Sequence, residues 1–357
     1  MPIDEDVVGA LAPGGTGDEL LSRVARGPVL ERDDQIQLAY VPFTAVRDWK
    51  AAAGGLRSRR VADADHALVL EVQSIRSRRV AALAIVPQPG IRLTAIVGVG
   101  RRSDYGDAYE YLSGRLHPRV MRPYFRQHDF ATMMREIDRH LGRTAEIHFT
   151  RLGHQRRLTK EKRESSLTWT DVRYQDVLNE AREKGHFFKH VSFEVRLKGN
   201  ATDVKGAMAR PNIMSLSASA AVRLAGLVNE RLVRHAAEEH KLVTDRSRTE
   251  ALTRPRPIVA TFEDALISKK GDAQQVTERF FQYKRSSIAV IHGNPYVHVR
   301  IIDLDDGSSY AVFMTSADAM TLIPQLRSSE SSFSRLLEFV HDSFGAVKFE
   351  DAPKVYA

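Results

Sequence analysis

Guanidinium groups are the side chains of this sequence best suited to chemistry. Arg57, Arg59 and Arg60 sit in Leu56 to Ala62, and Arg76, Arg78 and Arg79 sit in Ile75 to Ala81. The two stretches match almost letter for letter. Arg101 and Arg102 follow a third apolar run, and Arg156 and Arg157 stand in a charge-dense stretch from 151 to 166. A guanidinium stays charged at any working pH, and its planar fork fits two phosphate oxygens at once. Turns dense in arginine therefore suit a grip on nucleic-acid backbone that reads little base sequence. These ten residues are the expected contact set. The expected function is nucleic-acid binding, alone or within a nucleoprotein assembly, without catalysis. Two plainer accounts of the same residues are a solvated basic surface neutralised by acids from elsewhere in the fold, and the coding bias of a GC-rich, bacterial genome.

A second chemistry is written in His148-Phe-Thr150 and His190-Val-Ser192. Paired strands presenting two histidines and two hydroxyls are the arrangement of two-histidine phosphoesterases. One imidazole acts as base, the other as acid, and the hydroxyls hold a phosphate. This makes a phosphodiesterase or nuclease the enzymatic alternative. Thirteen histidines make such triplets common by chance, so core or surface roles compete with it.

Other candidates fall away on spacing. Asp303, Asp305 and Asp306 with Gly307 resemble a calcium loop only loosely. The glycine comes one position early, and Met314 stands where a bidentate glutamate belongs. A hairpin turn explains the same residues. His235 and His240 are five apart, which separates their faces on a helix and removes a zinc pair. Asp65, Glu71 and Gln73 lack the lysine of a nuclease strand. Gly14-Gly15-Thr16-Gly17 lacks both a lysine and a preceding strand. The chain has no cysteine, so thiolate ligands and disulfides are excluded. No cofactor and no metal are expected.

The 53 basic residues exceed the 45 acidic ones by a net charge of +8, which favours an anionic partner. Residues 57–102 carry nine arginines against three acids, whereas 300–357 carry five basic residues against nine acidic ones. The acidic C-terminal part supplies a third reading, a scaffold that docks a basic protein surface. No apolar run approaches the length of a membrane span. Met1 to Ala10 lacks the apolar core of a signal peptide. A cytoplasmic protein is expected.

Periodicity places these residues on elements. Strands are expected at Ile36 to Val41, Ala67 to Ile75, Val80 to Val86, Ile91 to Val99, Ala145 to Phe149, Val191 to Val195 and Ile213 to Leu216. Helices are expected at Thr44 to Ala53, Asp104 to Leu116, Asp129 to Leu141, Asp176 to Lys184 and Ser219 to Lys241. Arg115, Arg119, Arg122 and Arg126 have the spacing of one helix face, which Pro118 and Pro123 interrupt, with Tyr124 and Phe125 as aromatic surface beside them. Asn200 to Pro211 reads as a loop. Near the C-terminus, Ile288 to Ile291, the alternating Tyr296 to Ile301 and Tyr310 to Met314 read as strands reversing at Asp305-Asp306-Gly307. A short helix is expected from Thr315 or Ser316 towards Pro324. A stronger one carries Phe333, Leu336, Leu337, Val340 and Phe344 and stops at Gly345.

The fold class is therefore α+β, in two or three units of mainly antiparallel sheet with amphipathic helices packed on them. The expected divisions are a tail and short helix at 1–34, a first domain at 35–150, a charged linker at 151–175, a middle unit at 176–257 and a last domain at 258–357.

Overall fold

The computed structural model describes residues 24, 35–54, 58–64, 67–74, 77–142, 145–156, 165–184, 186–197, 200–244, 246, 256–268, 271–293, 296–325 and 327–352. The expected N-terminal tail lies outside them except for Val24, which is buried. Contacts divide the chain into two compact units, Met1–Arg156 with Glu161–Glu238, and Arg157–Lys160 with Glu239–Ala357. Both are α+β, and every strand pairing is antiparallel. Among the described residues no helix is long and apolar enough to cross a membrane.

In the first unit the order along the chain is β1 (Gln35–Pro42), α1 (Val46–Ala52), β2 (Ser58–Ala64), β3 (Ala67–Gln73), β4 (Val80–Gln88), β5 (Leu93–Gly100), α2 (Arg102–Leu116) and α3 (Gln127–Leu141). Then follow β6 (Ala145–Arg156), β7 (Ser165–Arg173), α4 (Tyr174–Glu183), β8 (His186–Leu197), β9 (Asn200–Ala209), β10 (Ile213–Leu216) and α5 (Ala218–Val243). One sheet holds all ten strands in the order β2-β3-β4-β5-β1-β10-β9-β8-β6-β7.

Its two faces explain the sequence pattern. Val69, Ala82, Ala84 and Val97 join Phe130, Met134, Leu224 and Val228 of α3 and α5 in one core. Leu68, Leu70, Leu83, Ile85 and Ile96 point the other way, onto Trp49, Tyr105, Tyr109 and Leu112 of α1 and α2. Strands covered on both faces must be apolar throughout, and β3 to β5 are. β8 has only one apolar face, so Val191, Phe193 and Val195 alternate with polar residues. Among the described residues the core beneath α1 and α2 takes none from β6, β7 or β8. The docking of α2 is tight. A Cβ on Gly98 would stand 2.3 Å from the Tyr105 ring, whose hydroxyl donates to the Ile96 carbonyl at 2.7 Å. Only glycine leaves room for that approach.

Several expectations are corrected here. Within the stretch expected as a linker, residues 151–156 complete β6, 165–173 form β7 and 174–175 begin α4, and 157–164 lie outside the described residues. The expected first and middle units consequently share one sheet. Asn200 to Ala209 is strand β9 rather than loop. Its Gly206 and polar residues suppress strand propensity, but a Cβ on Gly206 would meet the Phe193 ring at 2.4 Å, so packing requires the glycine. Helix α2 stops at Leu116 and α3 starts at Gln127, so Arg115, Arg119, Arg122 and Arg126 share no helix face. Tyr124 and Phe125 are each 1% exposed and belong to the interior.

The second unit contains β11 (Ile258–Phe262), α6 (Asp272–Phe280), β12 (Ser286–His292), β13 (His298–Asp303), β14 (Ser309–Ser316), β15 (Ala319–Pro324), α7 (Glu330–Phe344) and β16 (Ala346–Asp351). Its sheet has the order β12-β13-β14-β15-β11-β16. Phe333, Leu336, Leu337, Val340 and Phe344 form the buried face of α7. Ser329 caps that helix by accepting from Ser332 N, and Gly345 ends it at φ 72°. The segment expected as a short helix after Thr315 is strand β15, whose Met320 and Leu322 enter the core and whose last residue is Pro324. At the β13–β14 reversal, Arg335 binds both Asp303 and Asp305, and Arg285 binds Asp305 at 2.9 Å. Those carboxylates are held by guanidinium groups, as suits a hairpin turn.

Candidate nucleic-acid interface

The arginine clusters acquire a location through strand register. Gln73 of β3 lies opposite Val80 of β4, and Gln35 of β1 opposite Gly100 of β5. The β3–β4 turn and the β5–α2 junction therefore occupy the same end of the sheet. Within the turn, Ser74 N donates to Arg79 O at 2.7 Å and Arg78 N to Ser74 O at 3.1 Å. Arg78 takes φ 56° to close it. Ser77 Oγ then donates to Asp104 Oδ1 at 2.6 Å, which ties the turn to the first turn of α2. Arg78 and Arg79 are thus brought beside Arg101, the N-cap of α2, and Arg102, its first residue. Arg78, Arg79 and Arg101 are exposed and Arg102 is half-buried. Among the described residues none of the four forms an ion pair.

Two β-bulges shape the adjoining part of the sheet. Phe149 and Leu152 of β6 both enter the core, as do Phe188 and Val191 of β8. Two residues fill each gap where alternation allows one, and the register shifts at both places. Thr150 with Arg151, and Lys189 with His190, therefore present on the face turned away from that core. Beneath the start of α2 this face forms a cavity of about 380 Å³, whose lining includes Gln35, Arg102, Thr150, Ser192, Glu194 and Lys205. A neighbouring cavity of about 310 Å³ has Arg102, Asp107, Glu110, Lys189 and His190 in its wall. Arg102 belongs to both, and its Nη1 reaches Ser192 Oγ at 3.4 Å. Burial first, and then the charge of Arg151, lower the Arg102 pKa from its ordinary value. Burial and a neighbouring positive charge both disfavour the charged form of a guanidinium.

The remaining expected residues distribute as follows. Arg59 and Arg60 lie on β2 opposite Glu71 and Leu70, at the same sheet end, and Arg60 is exposed. Arg156 is the last residue of β6, opposite His186, at the other end. Arg57, Arg76 and Arg157 fall outside the described residues, as does Asp65. Thr150 and Ser192 are brought together in the larger cavity. The two histidines are not. His148 lies opposite Glu194, whereas the His190 ring lies over Gly153, where a Cβ would be 2.2 Å away. Five residues separate those positions on β6, roughly 16 Å at the usual strand rise. His148 is also buried, with Nε2 3.5 Å from Glu146 Oε2.

Sequence reasoning missed Arg151, Lys189, Lys205 and Gln35. For Arg151 and Lys189 a signal existed: the core residues Phe149 and Leu152, and Phe188 and Val191, are three apart where a regular strand has two. Comparison with protein-family models, with curated proteins and with solved structures finds no match for the chain.

Proposed function

We propose that the protein binds nucleic acid through the phosphate backbone, without catalysis, at the sheet end that carries Arg78, Arg79, Arg101 and Arg102. The observation carrying this reading is their convergence from two separate stretches of sequence, with no carboxylate paired to any of them among the described residues. Adjacent strands stand about 4.8 Å apart, so cations on neighbouring strand ends are spaced on the scale of successive phosphates. With Tyr124 and Phe125 inside the core, the expected aromatic surface for stacking bases is gone, which favours backbone contact over base contact.

Fluorescence anisotropy with labelled single- and double-stranded oligonucleotides tests the reading on protein freed of nucleic acid. Binding at 50 mM salt that weakens steeply as salt rises, with little dependence on base sequence, is expected. Absence of binding to every oligonucleotide at 50 mM salt overturns it.

A further inference from the structure

We propose that the cavity at the start of α2, walled by Arg102, Thr150, Ser192, Glu194 and Lys205, is a binding site for a phosphomonoester. The backbone reading needs only exposed arginines and phosphodiesters. This site is a recess beside them, and the two share Arg102 alone.

The argument begins with donors. Arg102 offers five N–H groups, and the hydrogen bond it makes is the long one to Ser192 Oγ at 3.4 Å. Thr150 and Ser192 add hydroxyls, and Lys205 an ammonium that forms no ion pair among the described residues. Glu194, the cross-strand partner of Lys205, contributes a carboxylate to the wall. Two cations therefore face one anion there. Arg101 supplies no side-chain cap to α2, and Asp104 N in the first turn donates instead to the Arg101 carbonyl at 3.1 Å. A second polar signal lies in the strands alongside. Gln37 and Ser215 are cross-strand partners and fully enclosed. Ser215 Oγ makes no hydrogen bond among the described residues, and Ser215 stands opposite Ala207, which lines the cavity; the Gln37 amide donates to the Gly100 carbonyl at 2.7 Å.

A phosphomonoester answers this set. Near neutral pH it carries between one and two negative charges and three terminal oxygens that accept strongly. A fork such as Arg102 can hold two of them. A volume of about 380 Å³ lies within the range of small-ligand sites and leaves room beyond the phosphate for a nucleoside. Two sources present this chemistry, a free mononucleotide and the phosphorylated end of a strand.

The experiment uses the full chain, freed of nucleic acid. Thermal unfolding is followed in sodium phosphate, and in a nucleoside monophosphate, each against sodium chloride of equal ionic strength. Both phosphates are expected to raise the midpoint in a saturable way. Arg102→Gln and Lys205→Gln are expected to raise the half-saturating concentration about tenfold or more, the usual loss for a charge-assisted hydrogen bond. Lys205 is exposed, so its variant keeps the test alive should Arg102→Gln fold poorly. Wild-type binding of a 5′-phosphorylated strand about tenfold tighter than its 5′-hydroxyl twin, lost in Lys205→Gln, supports the proposal with a strand end as the source. Equal binding of both strands with a retained phosphate shift supports it with a small molecule as the source. The proposal is overturned if neither phosphate shifts the midpoint beyond chloride, or if the shift is unchanged in both variants. Failure of the backbone reading shows separately, because Arg78→Ala and Arg79→Ala alter strand binding and leave the phosphate shift intact.

Discussion

Replacing Arg78, Arg79 and Arg101 together by alanine will flatten the salt dependence of nucleic-acid binding by a calculable amount. Each exposed guanidinium that neutralises a phosphate contributes about 0.9 to the slope of log K against log salt on duplex, and about 0.7 on single strand. Losing three makes the slope shallower by about 2.7 or about 2.1. Between 50 and 200 mM salt the wild-type protein will then lose about 40-fold more affinity than the variant on duplex, and about 20-fold more on single strand. The fold itself is spared. All three side chains are exposed, and none makes an ion pair among the described residues. Arg78 already bears a Cβ at φ 56°, so alanine adds no backbone strain there. Anisotropy titrations at five salt concentrations, with thermal midpoints as the control for folding, supply the two slopes. Parallel lines for variant and wild type would refute the assignment of these arginines to phosphate.

Three further outcomes follow from the geometry. Arg335→Met leaves the enclosed Asp303 carboxylate without its cation and will cost roughly 3–5 kcal/mol in urea unfolding of the second unit; a loss below about 1 kcal/mol would show that the pair contributes little. Burial alone would raise the pKa of Asp306, but hydrogen bonds from Ser329, from Ser308 and from Ser332 hold it below the ordinary carboxylate value. Its contribution is thus fully present above that ordinary value and disappears as pH falls through the folded-state pKa. Urea midpoints measured from pH 5 to pH 3 should fall less steeply for Asp306→Asn than for wild type, and identical acid limbs would contradict the assignment. Gly98→Ala drives a methyl into the Tyr105 ring and will destabilise the first unit by about 1–3 kcal/mol, while an unchanged unfolding midpoint would mean that α2 docks less tightly than described.

The sequence was most legible where a single local rule governs. Helix α3 shows Phe130, Met133, Met134 and Ile137 on one face because an amphipathic helix must, whatever it packs on. Strands β3 to β5 announce themselves because both their faces are covered. Strand β9 stayed hidden because its Gly206 exists for the Phe193 ring of another strand. The second half of β6 stayed hidden because a strand with one wet face can be as charged as a loop. Among the site residues, the arginines were legible as clusters, and Thr150 and Ser192 as hydroxyls on strands. The pairing of those hydroxyls with Arg102 depended on two bulges and on a helix that starts well before them in sequence.

Composition and periodicity by themselves determined that this is an α+β protein of antiparallel sheets, with its positive charge concentrated in residues 57–102. Only the tertiary structure decided that ten strands form one sheet, that the Ser77–Asp104 bond draws two arginine pairs together, and that the two histidines stand apart. Helix and strand periods are fixed within a few residues of chain. Whether a charge meets a partner, and which side chains share a cavity, depends on register between strands distant in sequence, and that is set by the packing of whole faces.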